Sequence, residues 1–127
     1  GHMNVPHYTA KFDQATWPMF ASIGFTVRHM KDRGVGVGAV RYDIRYRTEL
    51  LSGDTLTVRS RLLEVRDKVI RYVHEMAADQ TGALAATAEV TAVHMDTGTR
   101  KSCPFDAEIL ARARALLAEH ETIPRPE

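Results

Sequence analysis

The sequence predicts an α+β domain, one layer of helix laid on one curved antiparallel sheet. Three observations carry that prediction. The first two dozen residues repeat apolar side chains at steps of three and four, the period of a helix. Residues 35–95 then alternate with a period of two and are broken by short turn sequences. A second helical pattern closes the chain. With 127 residues, 44% of them hydrophobic and 26% charged, the chain is long enough for a core of its own and has the make-up of a soluble globular protein. Residues 1–127 read as a single domain without internal repeats or low-complexity segments. Residues 121–127, "ETIPRPE", read as a frayed tail.

The first helix is marked by Val5, Tyr8, Phe12, Ala15, Met19 and Ile23, which form one apolar stripe. Asn4 suits its N-cap, and Pro6 is tolerated in the first turn, where its missing N–H would be unpaired anyway. Pro18 would remove a hydrogen bond and press on the carbonyl of Gln14, so a kink or break is expected there, with a short continuation to Gly24. The polar stretch "HMKDRG" reads as a connection. In "VRYDIRYRTE", Val40, Tyr42, Ile44, Tyr46 and Thr48 share one face, and Arg41, Asp43, Arg45, Arg47 and Glu49 the other. This is a strand buried on one side. Val35 and Val37 have the opposite phase, which implies a bulge near Gly38. "LLSGD" is a turn. Residues 55–65 form a second strand with Leu56, Val58 and Leu62 on one face, and "RDK" turns into a third over Val69–Ala78. "DQTG" turns into a fourth over 83–95. Short turns favour a meander. Pro104 and the set Ile109, Leu110, Ala113, Leu116 and Leu117 mark the last helix.

Several function classes are disfavoured by composition. The net charge is +1 with no blocks of like charge, which gives no footprint for nucleic acid or an acidic membrane. No apolar run approaches the roughly 20 residues of a membrane span. The lone cysteine, Cys103, excludes an internal disulfide and suits a reducing cytoplasm. The six histidines lack the i, i+4 spacing of a helical ligand pair, so no metal is expected. "GVGVG" lacks the spacing of a dinucleotide-binding turn and leads into a strand. No nucleophile motif or phosphate loop is present.

The chemistry is concentrated in "GHMNVPHYTAKFDQATW". A helix N-terminus offers unpaired N–H groups and a partial positive charge that can hold a carbonyl oxygen as it becomes an oxyanion. Asn4 can cap that helix or orient water. His7 and Tyr8 lie in its first turns. Asp13 stands beside the apolar stripe, where a carboxylate at a helix–sheet boundary can serve as acid, base or nucleophile. A solvated surface aspartate is the plain alternative. His74, in "YVHEM", reads as a satisfied core histidine in preference to a site residue.

These pieces, together with "YDIRYRTELLSGDTLTV" and "TGALAATAEVTAVHMDTGTRKSCPF", resemble the hotdog-fold acyl-CoA thioesterases of the 4-hydroxybenzoyl-CoA thioesterase type. The resemblance runs in order over nearly the whole chain. It implies a central helix wrapped by an antiparallel sheet, and hydrolysis of an acyl-CoA thioester without metal or cofactor. It also implies a homodimer or dimer of dimers with sites between subunits. Gly1 and His2 match the turn whose backbone N–H groups polarise the thioester carbonyl. Asn4 matches a polar residue of the first turn, Tyr8 a recurring aromatic and Asp13 an acidic helix position. Thr99, Arg100 and Lys101 lie where relatives place positive charge, which assigns them to the CoA phosphates. The stretch is most similar to the thioesterases, free or fused to a dehydrogenase, of carnitine and betaine catabolism. That implies a short cationic acyl group such as betainyl, met by the aromatic faces of Tyr8, Trp17 and Tyr46. Filling of the core by those aromatics is the alternative reading.

One departure stands out. Family members begin with a strand that ends in an aspartate, and the chain as given starts after that point. Gly1-His2 also matches a scar of tag cleavage. Two readings follow: a start assigned too far downstream, or a short member that relies on Asp13. Two rival functions are a non-catalytic hotdog module that binds acyl-CoA or a partner, and a cystatin-like cone with binding or isomerase activity.

Overall fold

The structure is a computed structural model that describes residues 5–48 and 53–124. Its elements are α1 (Val5–Ser22), α2 (Val27–Arg33), β1 (Val35–Tyr46), β2 (Leu56–Val65), β3 (Val69–Ala78), β4 (Leu84–Asp96) and α3 (Ala107–Glu121). The four strands make one antiparallel sheet in the order β1-β4-β3-β2. The α+β layering predicted from the alternating and helical periods is therefore present.

The sheet is not a full meander. Only β2, β3 and β4 follow one another, while β1 pairs with β4 on the far side. Short turns hold the first three together, but residues 47–55 between β1 and β2 are long enough to cross. Three strand spacings amount to about 14 Å, and nine extended residues reach about 30 Å. The apolar run of β1 finds its partner on the alanine-rich β4, where Tyr42 faces Val90, Ile44 faces Ala88 and Tyr46 faces Ala86.

Helix α1 passes through Pro18 without a break. Pro18 is exposed, while Phe12 before it and Met19, Phe20 and Ile23 after it are buried in the sheet. Packing on both flanks outweighs the lost hydrogen bond. The helix sits over small residues, because Ala86, Ala88 and Ala92 lie fully buried on the strand beneath it. Two core clusters result. Tyr8 and Phe12 pack with Met76, Ala86 and Ala88 at one end. Phe20, Ile23 and Phe25 pack with Tyr72, Val90, Phe105, Ile109 and Leu110 at the other, where α3 completes the cover.

The stretch expected as a plain connection contains α2. Thr26 caps it by accepting a hydrogen bond from the His29 N–H at 3.0 Å, and Gly34 ends it in the left-handed region at φ +64°. None of its seven residues is buried, so no apolar stripe marks it in the sequence. The β1 bulge falls between Ala39 and Arg41, close to the predicted place. The apolar face of β1 is less covered than its alternation suggested. Val40 is 65% exposed, Tyr42 40% and Tyr46 50%. Part of the "LLSGD" turn lies outside the described residues.

Within the stretch 121–127, expected to fray, residues 121–124 are described and make specific contacts, while 125–127 lie outside the described residues. Helix α3 includes Glu121. Arg61 donates hydrogen bonds to the carbonyl oxygens of Ile123 (2.8 Å) and Pro124 (3.3 Å) and pairs with Glu75 at 2.9 Å. His120 Nδ1 accepts from the Leu62 N–H at 2.8 Å, beside the bulge of the edge strand β2.

Candidate active site

Four α1 side chains, Tyr8, Phe12, Met19 and Phe20, are buried against the sheet, as is Ile23 just beyond the helix. Asp13 follows Phe12 by one position, about 100° around the helix, and is exposed. It stands near enough to Tyr42 on β1 and Tyr72 on β3 for its charge to act on both phenols. Burial first, then the Asp13 carboxylate, then Tyr72 and Tyr46, push the Tyr42 hydroxyl up to about 12. Burial raises Tyr72 as well; the Thr16 hydroxyl opposes the rise and Asp13 adds to it. Both phenols therefore stay protonated across the physiological range and remain hydrogen-bond donors. A carboxylate beside two neutral phenols is an arrangement for moving or holding a proton.

Beside this group runs a polar chain whose centre, His74, is buried and whose ends, Ser60 and Thr16, are half-buried. Ser60 on β2 faces His74 on β3 across the ladder, and its hydroxyl lies 2.6 Å from His74 Nδ1. His74 Nε2 lies 2.9 Å from the Thr16 hydroxyl on α1. Thr16 also donates to the Phe12 carbonyl at 3.1 Å. One tautomer satisfies every partner: Ser60 donates to Nδ1, and Nε2–H donates to Thr16. His74 has no exposed surface, and burial pulls its pKa down to about 4, so the ring is neutral. Phe12 stacks on it, with centroids 5.9 Å apart and planes 10° from parallel. His74 is a core histidine with both nitrogens satisfied.

The other residues singled out by sequence fall in three places. His2 and Asn4 lie outside the described residues, as does the side chain of His7. Tyr8 is 5% exposed and meets Tyr46 edge to face at 5.1 Å, so its ring is mostly covered. Trp17 is 49% exposed, with its edge toward Phe20. Arg100 and Lys101 are exposed in the tight turn after β4, where the Asp96 carboxylate accepts from the N–H groups of Gly98 and Thr99. That turn starts six residues along β4 from Val90, the partner of Tyr42, or about 20 Å away. The structure thus brings Asp13, Tyr42, Tyr46 and Tyr72 together and leaves Arg100 and Lys101 apart from them. Sequence reading gave Tyr42 a place on the apolar face but no chemical part, and did not single out Tyr72, Thr16 and Ser60. Their one signal is strand and helix phase, which places them on the surfaces that face Asp13 and His74.

The model of the thioesterase-like superfamily matches residues 1–113. A betainyl-CoA thioesterase from Pseudomonas aeruginosa is 28% identical over the whole of this chain and 80% of its own length. A bifunctional L-carnitine dehydrogenase/betainyl-CoA thioesterase from Rhizobium meliloti is 26% identical over the whole chain, which spans 25% of that longer protein. Among solved structures, a hypothetical protein from Staphylococcus aureus in complex with CoA has a TM-score of 0.91 at 22% identity, covering 99% of this chain and 79% of that one. The central helix on a curved antiparallel sheet, shared over nearly the whole chain, and the family match place the chain in the thioesterase-like superfamily, as a thioester hydrolase of the hotdog fold.

Proposed function

We propose that the chain hydrolyses a small acyl-CoA to the free acid and CoA, with betainyl-CoA the first acyl group to test. Asp13 is the acid–base or nucleophilic group, and the first turn of α1, with His2, Asn4 and His7, holds the thioester carbonyl. The observation that carries this reading is the position of Asp13, exposed on α1 beside the phenols of Tyr42 and Tyr72 in a chain of this family. The exposed rings of Trp17, Tyr42 and Tyr46 offer π faces to a quaternary ammonium, worth about 1–2 kcal/mol when desolvated. Tyr8 backs Tyr46. Arg100 and Lys101 serve the CoA phosphates; at about 20 Å from the level of Tyr42 they suit a long ligand, or one that bridges two subunits.

The working unit is a homodimer or a dimer of dimers. Among the described residues strand β1 has a free edge, and its exposed Val40, Tyr42 and Tyr46 continue the apolar surface. A second copy covers both, and a monodisperse monomer in light scattering would refute the assembly. The cytoplasm is the place of action, a reading supported by a single cysteine and by the absence, among the described residues, of a helix long and apolar enough to cross a membrane.

The test is CoA thiol release from betainyl-, acetyl-, benzoyl- and longer acyl-CoAs. Hydrolysis by the wild type and a loss of about 10²–10⁴-fold in Asp13→Asn are expected. Equal rates on neutral and cationic acyl groups would remove the betainyl assignment. Full activity in Asp13→Asn would remove that residue's role. CoA binding without turnover would favour the non-catalytic module.

A further inference from the structure

The polar chain beneath α1 is costly, and packing does not account for it. An aliphatic side chain at position 74 would fill the same space without the cost of removing an imidazole from water. His74 instead links three elements through both ring nitrogens: Ser60 on β2, its own strand β3 and Thr16 on α1. Both neighbouring core clusters hold α1 by apolar contacts, which have no direction and resist rolling of the helix only weakly. A 2.9 Å hydrogen bond from the sheet to Thr16 does have direction. Thr16 lies three positions after Asp13, on the neighbouring turn of the same side of the helix. At a side-chain radius of about 5–6 Å, a 10° roll of α1 moves the carboxylate by about 1 Å. A displacement of that size can cost a reaction about 10²-fold.

We propose that His74 is a positioning residue: with its ring fixed by Ser60, it holds the Thr16 hydroxyl, sets the roll of α1, and so fixes where Asp13 stands relative to Tyr42 and Tyr72. This rests on the reading of Asp13 as the acid–base group. His74 touches no substrate and exchanges no proton with one. Its partners, not its own titration, define the role.

The experiment uses the full chain and the pair Thr16→Val and Thr16→Ser, because removing His74 itself opens a cavity. Two readouts are taken, the kcat and KM of thiol release and the NMR chemical shift of the Asp13 carboxyl carbon. In Thr16→Val, kcat falls about tenfold while KM stays within about twofold, and the Asp13 signal moves. Thr16→Ser restores the hydroxyl, the rate and the signal. In an Asp13→Asn background Thr16→Val costs nothing more, because the two act through one group. The proposal is overturned if Thr16→Val lowers the melting temperature but leaves kcat and the Asp13 signal as in the wild type. It is also overturned if the losses from Thr16→Val and Asp13→Asn simply add. Should no acyl-CoA be turned over, the catalytic reading falls, and the Asp13 signal alone still decides whether Thr16 and His74 position it.

Discussion

Mild acid should destabilise this protein through one buried ring. His74 has a folded-state pKa of about 4 against an ordinary 6.5, because burial disfavours its cation. Above pH 6.5 neither the folded nor the unfolded state binds the proton, and the full stability is present. As pH falls below 6.5 the unfolded chain takes up a proton that the folded one refuses, so stability is lost down to about pH 4 and then levels off. The loss is about 0.8 kcal/mol at pH 6, about 2 kcal/mol at pH 5 and about 3 kcal/mol at pH 4. Burial also depresses His94 and His120, which add slope of the same sign. Comparison with His74→Gln isolates the one ring, since glutamine does not titrate and the other histidines are common to both proteins. Urea unfolding followed by circular dichroism at pH 7, 6 and 5, at one fixed protein concentration, gives the two pH profiles. The wild type should lose about 2 kcal/mol more than the variant between pH 7 and pH 5. Parallel profiles would refute the reasoning, whatever the stability of the variant at pH 7.

Two further outcomes follow from the same structure. Asp13→Asn should lower the Tyr42 titration midpoint from about 12 but leave it above 10, because burial is the larger cause and the carboxylate the second; an alkaline ultraviolet titration against Tyr42→Phe reads this, and an unmoved midpoint would separate the two residues. Arg61→Ala should destabilise the fold by about 3–5 kcal/mol, since it strands a buried Glu75 and releases the carbonyls of Ile123 and Pro124; urea unfolding at pH 7 measures it, and a loss below about 1 kcal/mol would show that Arg61 is no keystone.

What the sequence disclosed was mainly periodic. The alternation in β1 to β4 and the 3.6-residue stripes of α1 and α3 record which side chains meet a core, and these elements stand close to the expected positions. Helix α2 escaped because its seven residues, under two turns and none of them buried, carry no apolar stripe; its signals were the punctuation of Thr26 and Gly34. The strand order escaped because pairing of β1 with β4 is a choice between partners far apart in sequence, and periodicity is blind to partners. Pro18 misled because propensity was weighed without the buried residues on both its sides. At the site, Asp13 was legible as a carboxylate at a helix–sheet boundary. Its phenolic neighbours were not, since Tyr42 and Tyr72 reach it only through the register of the sheet. The exposure of Tyr42 and Tyr46 ran against a fully buried apolar face, because alternation records which face is apolar and not how much of it the rest of the chain covers.

The strand order also governs how the chain must fold. Pairs between β2 and β3 join residues 5 to 22 positions apart, and pairs between β3 and β4 join residues 7 to 24 apart. Those between β1 and β4 join residues 40 to 61 apart. Local hairpins close with the least loss of chain entropy, so the three-stranded unit forms first and β1 docks late. Until it does, β4 is an open edge with a row of alanines that α1 has yet to cover. Synthesis makes α1 and β1 before β4, so both emerge well before the strand they need. During that interval the stretch that carries Asp13 is an apolar segment without a partner, and there this chain is most exposed to misassembly. Pulse-labelling hydrogen exchange would read that order directly, with β3 amides protected before those of β1.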